Sequence, residues 1–167
     1  MLKIVHFPDP ILREKMPEFD FSNPAIDPIQ LEKDMLEIMY QNHGMGLAAN
    51  QVGIRARVFV MGHESAPDLA QAFFNPIIEA NTDQYIDLIE GCLSFPDMFV
   101  KVKRPNAIKA RWQNRSGEWE FGEFNGYDCK CFLHEFDHLE GIVFQDRISK
   151  LKWSLASKNK KIYKGRK

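Results

Sequence analysis

The chain has 167 residues, of which 44% are hydrophobic and 27% charged, and its formal net charge is −1. These values fit one ordinary domain with a buried core and exclude a disordered or fibrous protein. A dedicated DNA-binding domain would be basic overall, which this chain is not. No stretch approaches the 18 apolar residues of a membrane-spanning helix, and no signal or transit peptide is recognisable. Three cysteines, an odd number, argue against a disulfide framework, so we expect a protein of the reducing cytoplasm.

Charge is distributed unevenly along the chain. Eight of the 22 basic residues and none of the acidic residues lie within 149–167. Residues 1–148 therefore hold 14 basic and 23 acidic residues, a net charge of −9. We expect a single domain over residues 1–148, with residues 149–167 forming its basic C-terminal helix or tail. Such a tail either lies near a phosphate backbone or forms a solvated terminal helix.

The hydrophobic pattern predicts helices on both sides of a β-rich middle. Residues 28–42 predict an amphipathic helix that stops at His43 and Gly44, where glycine can adopt the left-handed conformation. A glycine-rich loop, residues 44–53, should follow. Short β-branched or aromatic stretches predict strands at residues 55–61, 73–80, 85–89, 99–103, 107–113 and 118–124. With further helices at 128–139 and 149–162, these elements predict an α+β fold of antiparallel sheets wrapped around a central helix, plus a C-terminal helix.

The central helix carries a candidate metal-binding motif. Residues 134–138 read H-E-F-D-H, which is an H-E-x-x-H pattern. Residues four apart share one helical face, so His134 and His138 can bind one divalent ion, and Glu135 lies near enough to take a proton from a coordinated water. The alternative is a histidine pair on a solvated surface. Phe132 and other apolar neighbours indicate instead a packed helix, in which unpaired imidazoles would be costly.

A catalytic metal site needs a third protein ligand and one open position. The common metalloprotease choices are missing, because Phe144 stands where an extended motif has histidine and no glutamate follows Glu140. A general endoprotease is therefore the least favoured interpretation. Four upstream residues remain open as the third ligand: Cys92, Cys129, Cys131 and His63.

Three short motifs together resemble the signature sequences of the peptide deformylases. They are GMGLAANQ at residues 44–51, EGCLS at residues 90–94 and HEFDHLEG at residues 134–141, in the order and at the separations usual for that family. The resemblance implies a metal-dependent hydrolase that removes the N-terminal formyl group, as formate, from N-formylmethionyl nascent polypeptides.

The resemblance also implies how the metal and its base are supplied. Cys92, His134 and His138 would be the metal ligands, with Cys92 bound as the thiolate. Glu135 would act as the general base and then as the acid that protonates the leaving amine. The implied cofactor is one divalent ion per chain, natively Fe²⁺, with Zn²⁺, Ni²⁺ or Co²⁺ able to replace it.

Five further residues acquire roles from the same resemblance. The Gln51 side chain and the Leu93 backbone N–H would donate hydrogen bonds to the developing oxyanion. The backbone around Met45 and Gly46, and that of Gly91, would pair with the extended peptide as an added strand.

Some positions depart from the family pattern and bear on substrate preference. Leu133 precedes the first histidine where the family often has glutamine. Phe99 stands where many bacterial members have an arginine that helps to hold the peptide, and Lys101 and Lys103 are candidates to replace it. Two residues beside the expected side-chain pocket are more polar than a methionine site requires: Lys130 and Asp128.

Two alternatives keep the motifs but change the function. One is a deformylase-like paralogue that acts on a different N-formyl or N-acyl substrate. The other is a non-catalytic, metal-holding module that binds the ribosome through the basic tail, although such a module would have no need of Glu135 or Gln51. In the leading interpretation the partners are the N-formylmethionyl nascent peptide and, through the tail, the ribosome near its exit tunnel.

Overall fold

A computed structural model describes residues 2–164 of the chain, with side chains described for residues 2–158. Within these residues, α-helices lie at Pro28–Gln41 (α1), Gly126–Leu139 (α2) and Lys150–Lys164 (α3). The strands are Gly46–Ala48 (β1), Val58–Met61 (β2), Gln71–Asn81 (β3), Tyr85–Cys92 (β4), Phe95–Pro105 (β5), Ala107–Gln113 (β6) and Trp119–Asn125 (β7). The last three residues of the predicted tail, 165–167, lie outside the described residues.

The strands form two antiparallel sheets. Five of them make one sheet in the order β1-β2-β3-β6-β7, and β4 pairs with β5 in a separate two-stranded sheet. Helix α2 contacts β1, β2, β6 and β7 of the larger sheet and β5 of the smaller one. The predicted α+β fold, with antiparallel sheets around a central helix that carries the H-E-x-x-H motif, is therefore confirmed.

The two long helices are placed by their apolar residues. Helix α1 is amphipathic as predicted, and its apolar residues are buried against β1, β2 and β3: Leu31, Met35, Ile38 and Met39. Helix α2 is buried around most of its circumference, including Glu135 and Asp137, because both sheets pack on it. A helix enclosed in this way must satisfy its polar side chains internally, and this requirement shapes the site described below.

Two local details differ from the sequence prediction. The predicted loop at 44–53 contains the short strand β1, in which Leu47 pairs with Val60 of β2. Three residues are too few for an alternating pattern, so the pairing partner rather than the local sequence makes this strand. The left-handed residue after α1 is His43, with φ 54°, and not Gly44. Gly44 is needed for space instead, since a Cβ there would lie 3.0 Å from Leu93 Cδ1.

Helix α3 is attached to the body of the molecule by an aromatic residue. The Trp153 ring lies 5.8 Å from that of Phe95 and 5.9 Å from that of Phe144, both of which are buried. The first turns of the basic segment therefore pack on the core. No helix within residues 2–164 has the length and apolar character needed to cross a membrane.

Candidate metal centre

Three potential metal ligands converge where β4 meets α2. Cys92 ends β4, while His134 and His138 lie one turn apart on α2. One ligand atom from each residue lies within 4.8 Å of the other two, and Cys92 Sγ is 3.3 Å from His138 Nε2. Among the described residues this is the one group of three or more such side chains.

The other three candidates for the third ligand lie elsewhere. The Cys129 thiol donates to the carbonyl of Pro105 at 3.3 Å, and Cys131 is buried in the hydrophobic core. His63 is exposed and its Nδ1 lies 2.7 Å from Ser65 Oγ. Only Cys92 joins the histidine pair.

Glu90 holds the first histidine in place. Its carboxylate lies 2.8 Å from His134 Nδ1 and also accepts two hydrogen bonds from the Arg104 guanidinium, one of them at 3.0 Å. Because Nδ1 is engaged by Glu90, Nε2 of His134 is left to face the cluster. Burial alone would raise the pKa of Glu90, but the hydrogen bonds from His134 and Arg104 outweigh it and lower the pKa to about 2.

The same arginine ties the strand to the helix. Arg104 Nη1 donates to Asp137 Oδ2 at 2.9 Å, and Asp137 also accepts two hydrogen bonds from Arg147. Arg104 is 5% exposed and Asp137 is 4% exposed, so their charges are compensated inside the protein rather than by solvent. This network fixes the position of α2 relative to β4 and β5, and so of the histidines relative to Cys92.

His138 is placed through the backbone of its own helix. Asn50 Nδ2 donates to the His138 carbonyl at 2.8 Å, linking α2 to the turn that follows β1. Burial, together with the neighbouring His134, lowers the pKa of His138 well below its usual value. The ring is therefore held neutral, which is the form that binds a metal ion.

Glu135 lies beside the cluster in a very different setting. It is 4% exposed, and its Oε2 has no hydrogen-bond partner within the described part of the chain. Burial raises its pKa to about 7. Strand β1 passes very close to it, because a Cβ added to Gly46 would lie 2.5 Å from Glu135 Oε1. Only glycine fits at this point.

The Gln51 side chain directs its amide nitrogen toward Cys92 of the ligand cluster. Its Oε1 accepts from the Ala48 backbone N–H at 2.9 Å, which fixes the orientation of the amide. Its Nε2 donates to Ser94 Oγ at 3.1 Å and lies 3.5 Å from Cys92 Sγ. Gln51 is 1% exposed, so these contacts are made out of water.

A cavity of about 560 Å³ opens onto these residues. Its wall includes Met45, Gly46, Gly91 and Leu93. All the residues to which the family resemblance gives a catalytic, metal-binding or peptide-binding role line the cavity except His138. The edges of β1 and β4 flank the cavity, and each is an outer strand of its sheet within residues 2–164.

The side chains at the cluster fit a divalent metal ion. One sulfur and two imidazole nitrogens form a three-ligand set that leaves one position open, as a catalytic rather than a structural ion requires. The His134 ring is held by Glu90 from the side away from the cluster, the backbone of His138 is held by Asn50, and a buried carboxylate oxygen of Glu135 without a partner among the described residues lies next to the set.

Comparison with known proteins identifies the family. The sequence model described as polypeptide deformylase matches residues 1–154. A peptide deformylase of Zymomonas mobilis is 38% identical over 173 residues, spanning 100% of this chain and 96% of the relative. One of Thermotoga maritima is 42% identical over 160 residues, spanning 95% and 93%. The chain belongs to the peptide deformylase family.

Solved deformylase structures share the fold. The crystal structure of peptide deformylase from Thermotoga maritima matches with a TM-score of 0.79 at 40% identity, covering 89% of this chain and 98% of that one. The structure from Synechococcus elongatus, in complex with actinonin, matches with a TM-score of 0.87 at 31% identity, covering 95% and 85%. These relatives show that the chain is an enzyme of the deformylase class, which disfavours the non-catalytic module. The family and the ligand cluster together support a metal cofactor.

The departures from the deformylase pattern occupy distinct places. Leu133 is half-buried and packs against the core, so no polar group is presented there. Phe99 is 68% exposed and lines the cavity beside Gly91. The proposed replacements for the missing arginine, Lys101 and Lys103, are not among the residues that line the cavity.

Sequence reasoning missed the ionic network beneath the deformylase motifs. Arg104 and Asp137 were assigned no role, and Glu90 was not counted among the site residues. A signal for Arg104 existed in the alternation of β5, which places it on the buried face with Val100 and Val102. An arginine at a buried strand position demands an acidic partner, but the sequence does not show which one.

Proposed function

We propose that the chain removes the formyl group, as formate, from N-formylmethionyl nascent polypeptides. The observation that carries this proposal is the convergence of Cys92, His134 and His138 beside Glu135 at one cavity. The deformylase relatives support the same reaction class. The paralogue with a different N-formyl or N-acyl substrate is the remaining alternative.

Cys92, His134 and His138 would hold one divalent ion. When bound, the ion would lower the pKa of a coordinated water and so supply a nucleophile at neutral pH. We propose Fe²⁺ as the native ion, with Zn²⁺, Ni²⁺ or Co²⁺ as replacements, since one thiolate and two imidazoles suit several divalent metals.

The peptide would lie between the edges of β1 and β4. The Met45 carbonyl accepts from Gly62 N at 3.1 Å, so the next residue, Gly46, directs its own N–H and C=O away from β2. On β4, the Ile89 carbonyl accepts a hydrogen bond from Lys130 and therefore points away from β5. The backbone groups of Gly91, two residues further along the strand, point in the same direction. Two edges with outward backbone groups support binding of an extended peptide between them, with the Met45 side chain on the wall.

Glu135 would move the proton. Its carboxylate would take a proton from the attacking water and deliver it to the nitrogen of the leaving peptide, a transfer that typically contributes about 100- to 10,000-fold in rate. The Gln51 amide and the Leu93 N–H would donate to the formyl oxygen as it gains negative charge. The fixed orientation of Gln51 supports this, because preorganised donors need not reorient during the reaction.

We further propose that residues 1–148 form the catalytic domain and that residues 149–167 are its basic appendage, working in the cytoplasm beside the ribosomal exit tunnel. Ending the chain after Ser157 would remove most of the positive charge but keep Trp153 on the core. We expect weaker ribosome binding at low salt and unchanged hydrolysis of a free peptide. Unchanged ribosome affinity would reject the docking role.

The decisive experiment measures formate released from formyl-Met-Ala-Ser by protein purified without oxygen, with metal content determined in parallel. We expect turnover with about one ion per chain in the parent. Cys92→Ala should lose both the ion and the activity. Cys129→Ala, a cysteine change outside the cluster, is the matched control and should keep both. Absence of formate release from a metal-loaded parent would favour the paralogue.

A further inference from the structure

Lys130 brings a positive charge into the substrate cleft. It lies on α2 one turn before His134, on the same helical face, and it lines the cavity. Its Nζ donates to the Ile89 carbonyl at 3.2 Å and lies 4.8 Å from the centroid of the Tyr127 ring. Among the described residues that line this cavity, Lys130 is the one lysine or arginine.

The charge of Lys130 is not compensated by its neighbours. Its two contacts are a carbonyl and an aromatic ring, both neutral, and no carboxylate within residues 2–158 lies within 4.0 Å of Nζ. Glu90, the buried acid on the same wall, is already bonded to Arg104 and His134. Asp97 and Glu135 also line the cavity, but the contacts of Lys130 are with the Ile89 carbonyl and the Tyr127 ring, so the ammonium group can still pair with an incoming carboxylate.

The position of Lys130 along β4 determines which residue of a bound peptide it can contact. Ile89 is three residues before Cys92, which is about 10 Å along a strand at about 3.3 Å per residue. A peptide laid along the outer edge of β4, with its formyl group at the cluster, would bring its second and third residues within reach of Lys130.

We propose that Lys130 is a specificity-determining residue that favours N-formyl peptides with Asp or Glu as the second or third residue. This inference rests on the proposed function and names a substrate class for the same site. The cation acts on binding rather than on the formyl carbon, because it lies a helical turn away from His134. Phe99, on the neighbouring strand β5, also lines the cavity but carries no charge, so it cannot attract a carboxylate as Lys130 can.

The test compares Asp with Asn in matched peptides whose C-terminal carboxylate is amidated, so that one carboxylate at most is present. The peptides are formyl-Met-Asp-Ser-amide and formyl-Met-Ser-Asp-amide, each beside its Asn counterpart. For the metal-loaded parent we expect a ratio of kcat/KM, Asp over Asn, of about two to five at one position or both, as a partly exposed ion pair provides. The difference should lie in KM and should shrink at high salt.

Three variants separate this role from a general effect on the cleft. Lys130→Met keeps an unbranched apolar stem but removes the charge, and it should bring the ratio to about one, while Lys130→Glu should bring it below one. Lys101→Met, a matched loss of a lysine that does not line the cavity, should keep the parent ratio. An Asp preference that is absent from the parent, or that survives in Lys130→Met, would overturn the inference. Absence of formate release from every peptide would overturn the proposed function and this inference with it.

Discussion

Two buried glutamates near helix α2 have pKa values shifted in opposite directions. On the side of β4 and β5, Glu90 is 1% exposed and accepts hydrogen bonds from Arg104 and His134, which bring its pKa down to about 2. On the side of β1, Glu135 is 4% exposed, has one oxygen without a partner, and has its pKa raised by burial to about 7. Burial is nearly the same for both, so the partners decide the ionisation.

The difference separates two tasks that one metal centre requires. A carboxylate whose hydrogen bonds are all used is locked in position and can orient a ligand, but it has no capacity left for a proton. A buried carboxylate with one oxygen left without a partner and a pKa near neutrality can bind and release a proton. Glu90, on the β4–β5 side of α2, therefore positions His134, whereas Glu135, facing β1, is suited to acid–base chemistry.

Glu135→Gln should have the largest effect of any single change in this comparison. The amide keeps the shape of the side chain but cannot exchange the proton, so kcat for formyl-Met-Ala-Ser should fall by about 100- to 10,000-fold. Metal content and the urea midpoint of unfolding should stay close to those of the parent, because no charge partner is lost. Glu37→Gln, on the exposed surface of α1, is the control. A fall of less than tenfold would remove Glu135 from the chemistry.

Most of the fold and the ligand set could be predicted from the sequence, because these features are local. The strands from 71 to 125 alternate and are bounded by turn residues, and the predicted helix at 128–139 differs from α2 by two residues at its start. The H-E-x-x-H spacing fixes both histidines on one face of a helix. The choice of Cys92 over Cys131 needed the family resemblance, since spacing alone left both open.

The features that could not be predicted depend on contacts between distant segments. Arg104 is 14 residues from Glu90 and 33 from Asp137, and no local pattern links the three. Strand β1 has three residues and exists through its pairing with β2. Contacts of this kind depend on how the two sheets pack against α2, and local sequence patterns do not give that packing.

The remaining cysteines sharpen the comparison, because burial outweighs the nearby charges at both of them, whereas the hydrogen bonds from Arg104 and His134 outweigh burial at Glu90. Burial raises the pKa of Cys129 to about 11 and that of Cys131 well above its usual value. In metal-free native protein at pH 8, iodoacetamide should label Cys92 first, with Cys129 about 100-fold slower than an ordinary thiol because the thiolate is what reacts. Labelling of Cys129 should rise only as the pH approaches 11.

Mass spectrometry of the labelled peptides measures this order. Added Zn²⁺ should protect Cys92, and protein unfolded in urea should be labelled at similar rates at Cys92, Cys129 and Cys131. Rapid labelling of Cys129 in the native protein at pH 8 would contradict the view that burial keeps this thiol in its neutral form.

Glu90→Gln tests the other half of the comparison, because it should change metal affinity, which Glu135→Gln should leave close to that of the parent. The amide can still accept from Arg104, but it removes the charge that balances the buried guanidinium and weakens the hold on His134. We expect metal affinity to fall by about 10- to 100-fold and the free energy of unfolding to fall by about 3 to 5 kcal/mol. Competition with a chromophoric Zn²⁺ chelator and urea unfolding measure the two quantities.

The control for Glu90→Gln is Glu14→Gln, which breaks the exposed ion pair with Arg55 and should leave metal affinity unchanged. The two readouts distinguish two roles for Glu90. If stability falls while metal affinity is kept, Glu90 serves only to neutralise Arg104, and the orientation of His134 must come from the packing of α2 alone. If both stability and metal affinity fall, Glu90 both balances the charge of Arg104 and positions His134. That result would support the assignment of ligand positioning to Glu90 and of proton transfer to Glu135.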